Sequence, residues 1–249
     1  MGKNKWTTTP KHLLRKMCVV DVIKDLKPGR FLEMGAGTGD FTKIFLESGY
    51  KGICYDISEI TRNTLSQNLS SFRESAEVVS ELATIPNKEF DYLIAFEVLE
   101  HVVNDEDVLR TWLRYLKPGG TFIMSVPAHM SSFGASDERV GHIRRYEKAG
   151  LNELLERLGF NHIDIYCWGF PLANITGKVG NSLQRNITDS KMTQVERSVW
   201  SGQERTQFER IVSIFLNKYT LIPFFMLQRL FYGKDLGEGY VVIAKIHSP

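Results

Sequence analysis

The sequence contains little cysteine and no concentration of charge. Its three cysteines are scattered over 249 residues without a Cys-x-x-Cys pair, which argues against a disulfide framework and against a cysteine zinc site. The 31 basic and 29 acidic residues leave a net charge of +2, too little for the basic footprint of a nucleic-acid-binding protein. With reduced thiols expected, and no apolar signal-peptide core near the first residue, the sequence predicts a cytoplasmic protein.

Long apolar runs and internal repeats are also missing. The most apolar stretch, Leu221–Leu227, is too short to span a bilayer, and Lys218, Pro223 and Arg229 interrupt or flank it. No transmembrane segment is therefore predicted. A length of 249 residues suits one large α/β domain that buries a substantial core.

The most informative segment is Phe31–Asp40, where an apolar run reaches Glu33 and opens into three glycines at alternate positions. Strands buried on both faces read as continuous apolar runs, and glycine permits a tight turn with close backbone approach to a ligand. The spacing Gly-x-Gly-x-Gly differs from the dinucleotide-binding fingerprint and from the P-loop. Taken alone, the segment predicts a turn that binds some nucleotide-type cofactor.

Apolar runs and chain breakers alternate along most of the sequence. The predicted strands are Arg30–Met34, Gly52–Ile57, Glu77–Ser80, Phe90–Val98, Thr121–Val126, His162–Trp168 and Tyr240–Ile246. Helices are predicted between most of them, with one starting at Thr9-Pro10, one capped by Ser58, and a loop from Pro127 to Tyr146. This order indicates an α/β fold with a doubly wound, mostly parallel seven-stranded sheet and a helical insertion before the last strand. Ligands of such sheets bind at the carboxyl ends of the strands.

Four segments in this order resemble the motifs of class I S-adenosylmethionine-dependent methyltransferases, in particular the type 11, 12 and 23 methyltransferase-domain families. They are Glu33–Gly39, the acid Asp56 that closes the second strand, Phe90–His101, and the turn Leu116–Gly120. The resemblance implies a Rossmann-like fold, S-adenosylmethionine as cofactor and methyl transfer as the reaction.

The cofactor's chemistry gives physical reasons for these residues. Gly35 and Gly37 let the backbone approach the amino-acid and ribose portions, Glu33 can accept from the ammonium group, and Asp56 can accept from both ribose hydroxyls. The alternative is that the glycines only turn the chain and Asp56 only caps the following helix. The predicted cofactor-binding residues are Glu33, Gly35, Ala36, Gly37, Asp56, Ile57, Glu81, Leu82, Phe96 and Glu97, with Glu81-Leu82 resembling the family's adenine-edge segment.

Two histidines are the predicted catalytic residues. A hydroxyl acceptor benefits from a base, and histidine is the side chain best suited to that role at neutral pH. His101 follows the fourth strand, and His142 lies in a Gly-His-x-Arg-Arg-Tyr segment that resembles a bacterial subgroup acting on small or lipid-like molecules. His129 is a further candidate for the acceptor site. Arg144 and Arg145 are candidates for binding an acidic acceptor, with a solvated pair capping the next helix as the alternative.

A metal site is the alternative use of the same segment. Glu97-x-x-Glu100-His101 resembles the metal motif of small-RNA 2′-O-methyltransferases and of ubiquinone-pathway O-methyltransferases, and His142 is the nearest match to a later histidine. In a helix the first three would share one face. Two carboxylates with two imidazoles suit Mg²⁺, Mn²⁺ or Zn²⁺. The favoured prediction is nevertheless a site without metal, in which the histidines serve as base, substrate contact or loop support.

Residues 1–168 and 240–249 are predicted to form the cofactor-binding domain, and residues 169–239 a helical insertion or lid packed on it. Residues 211–232 either pack on the core or touch a membrane surface peripherally. The predicted function is methylation, preferably of oxygen, on a small, lipid-like or natural-product acceptor. The alternatives are a metal-assisted O-methyltransferase acting on RNA or a quinone-type phenol, and a non-catalytic cofactor-binding protein.

Overall fold

The computed structural model describes residues 9–177 and 219–247, and its centre is a seven-stranded sheet with the order β3-β2-β1-β4-β5-β7-β6. Strands β1 to β5 pair in parallel, whereas β7 runs antiparallel to both β5 and β6. The strands are β1 Arg30–Met34, β2 Lys51–Tyr55, β3 Ala76–Val79, β4 Phe90–Phe96, β5 Leu116–Pro127, β6 Phe160–Trp168 and β7 Gly239–Ile246. The predicted fold class is confirmed.

Helices cover both faces of the sheet, and alternate residues of each strand divide the core into two parts. Phe122 and Met124 of β5 pack in one cluster with α4 and α6, whereas Ile123 packs in the other with α1 and α2. The helices are α1 Pro10–Ile23, α2 Asp40–Glu47, α3 Glu59–Asn68, α4 Asp105–Trp112, α5 Ala135–Val140, α6 Lys148–Arg157 and α7 Ile222–Arg229. Burying the apolar strand residues on both faces supplies the main driving force for this layered arrangement.

Two helix caps expected from the sequence are present. The Thr9 hydroxyl accepts a hydrogen bond from the backbone N–H of His12, and the Ser58 hydroxyl accepts one from the N–H of Thr61. Each bond satisfies one of the N–H groups that a helix leaves unpaired at its start.

The second strand ends at Tyr55 rather than Ile57, and the fifth begins at Leu116, so the predicted turn Leu116–Gly120 belongs to that strand. Two further local predictions are wrong. The fourth strand ends at Phe96 rather than Val98, because Glu97 has a φ of 56° and turns the chain out of the sheet. Second, the segment predicted as a continuous loop contains α5. The carboxylate of Asp137 accepts from the N–H of Gly134 at the start of this helix, and Gly141 ends it in the left-handed conformation.

The described end of the predicted insertion packs on the N-terminal helix. Gln228 of α7 is buried, donates to the carbonyl of Leu14 and accepts from the N–H of Gly169. Arg229 forms an ion pair with Asp21 at 2.6 Å. Residues 178–218, which include the rest of the predicted lid, lie outside the described residues. Among the helices that the structure describes, none is long and apolar enough to cross a membrane.

Candidate functional site

The glycine-rich turn lies between the carboxyl ends of β1 and β2. The N–H groups of Gly35 and Ala36 both donate to the carbonyl of Tyr55, at 2.8 and 3.1 Å. Gly35 has a φ of 67°, and a Cβ there would lie 2.7 Å from Val98. At Gly37 φ is also positive, but no atom lies within 4 Å of where a Cβ would stand. The backbone is therefore open above Gly37, as a turn that approaches a ligand closely requires.

Asp56 holds this turn to the start of α3. Its Oδ2 accepts from the N–H of Gly37 at 3.0 Å, and its Oδ1 accepts from the N–H of Ser58 at 2.9 Å. Burial outweighs these bonds and raises the pKa of Asp56. The predicted helix-capping role is present, and each carboxylate oxygen keeps capacity for a second donor. The neighbouring Ile57 is 72% exposed, so an apolar surface lies next to the carboxylate.

Glu33 lies between β1 and α2 and is almost fully buried. Its carboxyl accepts a hydrogen bond from the hydroxyl of Thr42 at 2.6 Å. Burial, assisted by the charge of Asp56, raises the pKa of Glu33 to about 8. The predicted contact with a cofactor ammonium group stays a prediction, and a cation that approached this carboxyl would favour its ionised form.

Phe96 and Glu97 end β4 in different environments. The Phe96 ring stacks on Phe41 with centroids 4.6 Å apart, so most of its surface belongs to the core. The Glu97 carboxylate lies 2.6 Å from a guanidinium nitrogen of Arg15 and accepts from the hydroxyl of Ser125 at 2.9 Å. Burial opposes ionisation of Glu97, but the charges of Arg15 and His142, together with the hydrogen bonds from Ser125 and Arg15, outweigh it and lower the pKa.

Three side chains form a buried cluster just beyond β4. One potential ligand atom from each of Glu100, His101 and His142 lies within 4.8 Å of the other two. Glu100 is fully buried, and neither carboxylate oxygen has a hydrogen-bond partner among the described residues. Burial and the charge of Glu97 raise its pKa well above the usual range, whereas burial and His142 lower the pKa of His101 to about 4.

The cluster differs from the predicted metal set in one member. The segment after β4 forms a short 3-10 turn, Leu99–His101, instead of continuing as a helix from Glu97. Glu97 therefore does not share a helix face with Glu100 and His101, and it pairs with Arg15. The structure brings together the other three members of the set.

Asp137 orients His142 and was missed by the sequence analysis. Nδ1 of His142 lies 2.8 Å from Oδ1 of Asp137, and Nε2 lies 3.5 Å from Glu100. Arg145 donates to both oxygens of Asp137 at 3.0 and 3.1 Å and lies 3.3 Å from Glu238. The available signal was an acidic residue five positions before a candidate histidine, in a segment with a helix start and a terminal glycine.

The structure pairs both adjacent arginines with carboxylates of the protein itself, and the predicted binding of an acidic acceptor by Arg144 stays a prediction. Arg145 is buried and bonded to Asp137 and Glu238, so it neither faces an acceptor nor lies in solvent. Arg144 pairs with Asp105 at 2.8 Å and donates to the carbonyl of Val103, which attaches the loop to the start of α4. These guanidinium groups support the loop that carries His142.

The remaining predicted residues lie on either side of these clusters. Glu81 is exposed in the turn after β3, and Leu82 packs against the core, where its carbonyl accepts from the hydroxyl of Tyr115. Their predicted role at the adenine edge stays a prediction. His129 follows β5 and has a φ of 63°, with its ring nitrogens 3.6 Å from Glu147 and from Asp235.

Comparison with known proteins agrees with this architecture. A model of the methyltransferase-domain family matches residues 12–165. A probable S-adenosylmethionine-dependent methyltransferase from Mycolicibacterium smegmatis is 27% identical over 168 residues, which cover 64% of this chain and 65% of that protein. The ubiquinone/menaquinone C-methyltransferase of Pseudomonas fluorescens is 31% identical over 121 residues, covering 45% and 47%. The ubiquinone O-methyltransferase of Xanthomonas oryzae is 28% identical over 122 residues, covering 47% and 51%. The matched regions thus span only about half to two thirds of these relatives.

A solved structure shows the same fold at low sequence identity. Phosphoethanolamine N-methyltransferase 2 of Haemonchus contortus, in complex with S-adenosyl-L-methionine, superposes with a TM-score of 0.58 and 14% identity, covering 94% of this chain and 52% of that one. The matched region of the family model exceeds half of the chain and contains the glycine turn, Asp56 and the Glu100 cluster. As its resemblance to class I enzymes predicted, the chain belongs to the methyltransferase-domain family.

Proposed function

We propose that this protein transfers a methyl group from S-adenosylmethionine to a hydroxyl oxygen of a small acceptor. One observation carries the proposal. The open glycine turn bonded to Asp56 and the buried cluster of Glu100, His101 and His142 follow strands at the same carboxyl edge of the sheet. In open α/β sheets this edge is where ligands bind.

The residues around the turn fit the cofactor. The space above Gly37 accommodates a ligand against bare backbone, Asp56 retains acceptor capacity for ribose hydroxyls, and exposed Ile57 offers an apolar surface for a base. The high pKa of Glu33 suits a carboxyl that becomes ionised when a ligand ammonium group approaches. When bound, the cofactor supplies a methyl group already activated by a sulfonium.

The residues beyond β4 then serve the acceptor. With Asp137 accepting a hydrogen bond from Nδ1 of His142, Nε2 is the ring nitrogen left to accept a proton. That nitrogen can remove the proton of an acceptor hydroxyl as the oxygen becomes methylated. His101 is held by the carbonyl of Gly141, 3.0 Å from its Nδ1, and Arg145 fixes Asp137 from behind. Much of the rate enhancement comes from holding the acceptor in line with the methyl group.

A metal-assisted version of the same reaction is the second candidate, and the unsatisfied carboxylate of Glu100 favours it. A fully buried carboxylate without hydrogen bonds is costly unless a proton or a cation compensates it. Both histidines direct Nδ1 to an acceptor, Gly141 or Asp137, which is the usual outer support of a metal-binding imidazole. A divalent cation held by Glu100, His101 and His142 would lower the pKa of an acceptor hydroxyl.

A small phenol is the acceptor class we favour. The two ubiquinone-pathway relatives support a small ring-bearing acceptor, and the acid–base cluster supports oxygen over carbon as the methylated atom. The net charge of +2 does not favour RNA. The alternative is a protein that binds the cofactor without catalysing transfer, and the experiment must distinguish it from an enzyme.

The proposal is tested by binding and transfer measured on the same variants. Calorimetry with S-adenosylhomocysteine should detect binding that Asp56→Asn weakens about tenfold to a hundredfold, because a charge-assisted hydrogen bond contributes about 1.5–3 kcal/mol. The exposed Asp25→Asn is the matched control. Absence of binding to the parent chain would refute the proposal.

Transfer is followed with labelled S-adenosylmethionine and a panel of hydroxylated aromatic acceptors. His142→Ala should lower kcat by a factor of about 10² to 10⁴, which is the usual contribution of a general base. The affinity for S-adenosylhomocysteine should stay unchanged in this variant. Loss of activity after chelation, with recovery on adding Mg²⁺, Mn²⁺ or Zn²⁺, would support the metal-assisted version. Cofactor binding without transfer to any acceptor would favour the non-catalytic alternative.

A further inference from the structure

A second group of metal-ligating side chains lies at the corner where β5, β6 and β7 meet. His129 follows β5, Cys167 is the penultimate residue of β6, and Asp235 precedes β7. One potential ligand atom from each lies within 4.8 Å of the other two. The three are brought together by β7, whose start pairs with the ends of both neighbouring strands.

The spacing of two of these atoms is close to that of ligands around a tetrahedral ion. Nε2 of His129 lies 3.6 Å from Oδ1 of Asp235. With zinc–nitrogen and zinc–oxygen distances of about 2.0–2.2 Å, two ligand atoms of a tetrahedron stand roughly 3.4 Å apart. Only a small adjustment of the side chains is needed to place both on one ion.

The sulfur of Cys167 accepts hydrogen bonds from the backbone of the loop before β7. The backbone N–H of Gly237 donates to Sγ at 3.0 Å, and the N–H of Leu236 is a second donor. A Cβ at position 237 would lie 2.1 Å from the carbonyl oxygen of Trp168, so the loop can fold over the sulfur in this way only with glycine. Burial nevertheless raises the pKa of the thiol to about 11, so a cation is what would complete deprotonation.

The neighbouring groups resemble the outer support of a metal site. The hydroxyl of Tyr240 donates to Oδ1 of Asp235 at 2.6 Å, and a carboxylate oxygen of Glu147 lies 3.6 Å from Nδ1 of His129. The side chain of Asp235 is 43% exposed, so one member of the group is accessible from solvent. His129 holds a left-handed backbone conformation, which is uncommon for a residue other than glycine.

We propose that His129, Cys167 and Asp235 bind a divalent cation of the zinc type, at a site separate from Glu100, His101 and His142. Thiolate, imidazole and carboxylate together match the ligand preferences of Zn²⁺, and three protein ligands leave a fourth position for water or a further ligand. The sequence argued against a cysteine zinc site because no second cysteine is nearby, and the structure instead offers a mixed set of ligands.

Such an ion ties the loop after β5 to the segment before β7. Ala128, next to His129, accepts from Arg145, and that arginine also pairs with Glu238 in the segment before β7. An ion at the corner would therefore hold both sides of the loop that carries His142. It would stabilise the folded chain by an amount that increases with the concentration of free ion, because the unfolded chain does not hold the three ligands together.

Cobalt is the probe that distinguishes this site from the cluster beyond β4. Co²⁺ bound by a thiolate gives a sulfur-to-cobalt charge-transfer band in the near ultraviolet, which a site made of carboxylate and imidazole does not give. The full-length chain titrated with Co²⁺ under reducing conditions should develop this band at one equivalent, and Zn²⁺ should displace it. Zn²⁺ should also raise the Tm with increasing concentration.

Variants decide whether the proposed residues are responsible. Cys167→Ala should abolish the band, whereas the control Cys54→Ala, which removes a buried thiol elsewhere, should retain it. Asp235 is partly exposed, so Asp235→Asn should remain folded by circular dichroism and weaken Co²⁺ binding at least tenfold. Absence of the band in the parent chain, or its survival in Cys167→Ala, would overturn the proposal. Neither result bears on methyl transfer, since the Glu100 cluster contains no sulfur.

Discussion

The buried carboxyl of Glu33 should make the stability of the protein fall as pH rises from about 5 to about 8. The folded state holds the pKa of Glu33 near 8, mainly through burial, whereas its ordinary value is 4.5. A group whose pKa is raised by folding contributes stability that is complete below the ordinary value and is lost as pH rises through the folded value. At about 1.4 kcal/mol for each pH unit, the loss approaches about 5 kcal/mol.

The substitution Glu33→Gln removes this titration and keeps an oxygen that can accept from the hydroxyl of Thr42. Urea unfolding of the parent chain and of Glu33→Gln at pH 5, 6, 7 and 8 gives the difference between their free energies of unfolding at each pH. The contributions of the other titrating groups largely cancel in this difference. Of the total of about 5 kcal/mol, about 3.5 kcal/mol should appear between pH 5 and 8 as a change of this difference in favour of the glutamine variant. The exposed Glu47→Gln serves as the control for loss of one carboxylate. A difference that stays constant within about 1 kcal/mol would refute the argument.

The remaining predictions concern backbone conformation and a buried ion pair. Gly150→Ala, at the third residue of α6 with open space around a new Cβ, should raise the free energy of unfolding by about 0.4–1 kcal/mol. Gly37→Ala should lower it by about 1–2 kcal/mol because of its positive φ, and calorimetry should show weaker S-adenosylhomocysteine binding because the methyl group occupies the open space. A stabilised Gly37→Ala would contradict this reasoning. Arg145→Met should lower the free energy of unfolding, measured with urea, by about 3–5 kcal/mol, because the buried Asp137 and the partly buried Glu238 lose their cation. A decrease below about 1 kcal/mol would contradict this prediction.

Local sequence patterns were sufficient to predict the sheet. The first strand, Arg30–Met34, has the same bounds in prediction and structure because an apolar run meets glycine on one side and Pro28-Gly29 on the other. The fourth strand was extended too far, since Val98 continues the apolar run and nothing local announces the positive φ of Glu97. The short helix α5 was missed because it is polar and has only six residues.

The candidate site was predictable where it depends on one segment and not where it depends on distant ones. Glu100 and His101 are neighbours in sequence, and His142 was assigned to them by resemblance. The partnership of Arg145 with Glu238, 93 residues away, depends on the pairing of β5 with β7 and has no sequence signal. The same pairing explains why the juxtaposition of Cys167 and Asp235 was not anticipated.

The reversed direction of β7 also determines where foreign segments can be attached. Lys245, near the end of this strand, pairs with Thr121 in the first half of β5, so the chain leaves the sheet on the side opposite the carboxyl edge. An affinity tag or fluorescent domain joined after Ile246 would therefore emerge away from the proposed cofactor and acceptor sites. The same fusion ahead of α1 would stand near Arg15 and its partner Glu97, so immobilisation for binding assays is better done through the C-terminal side.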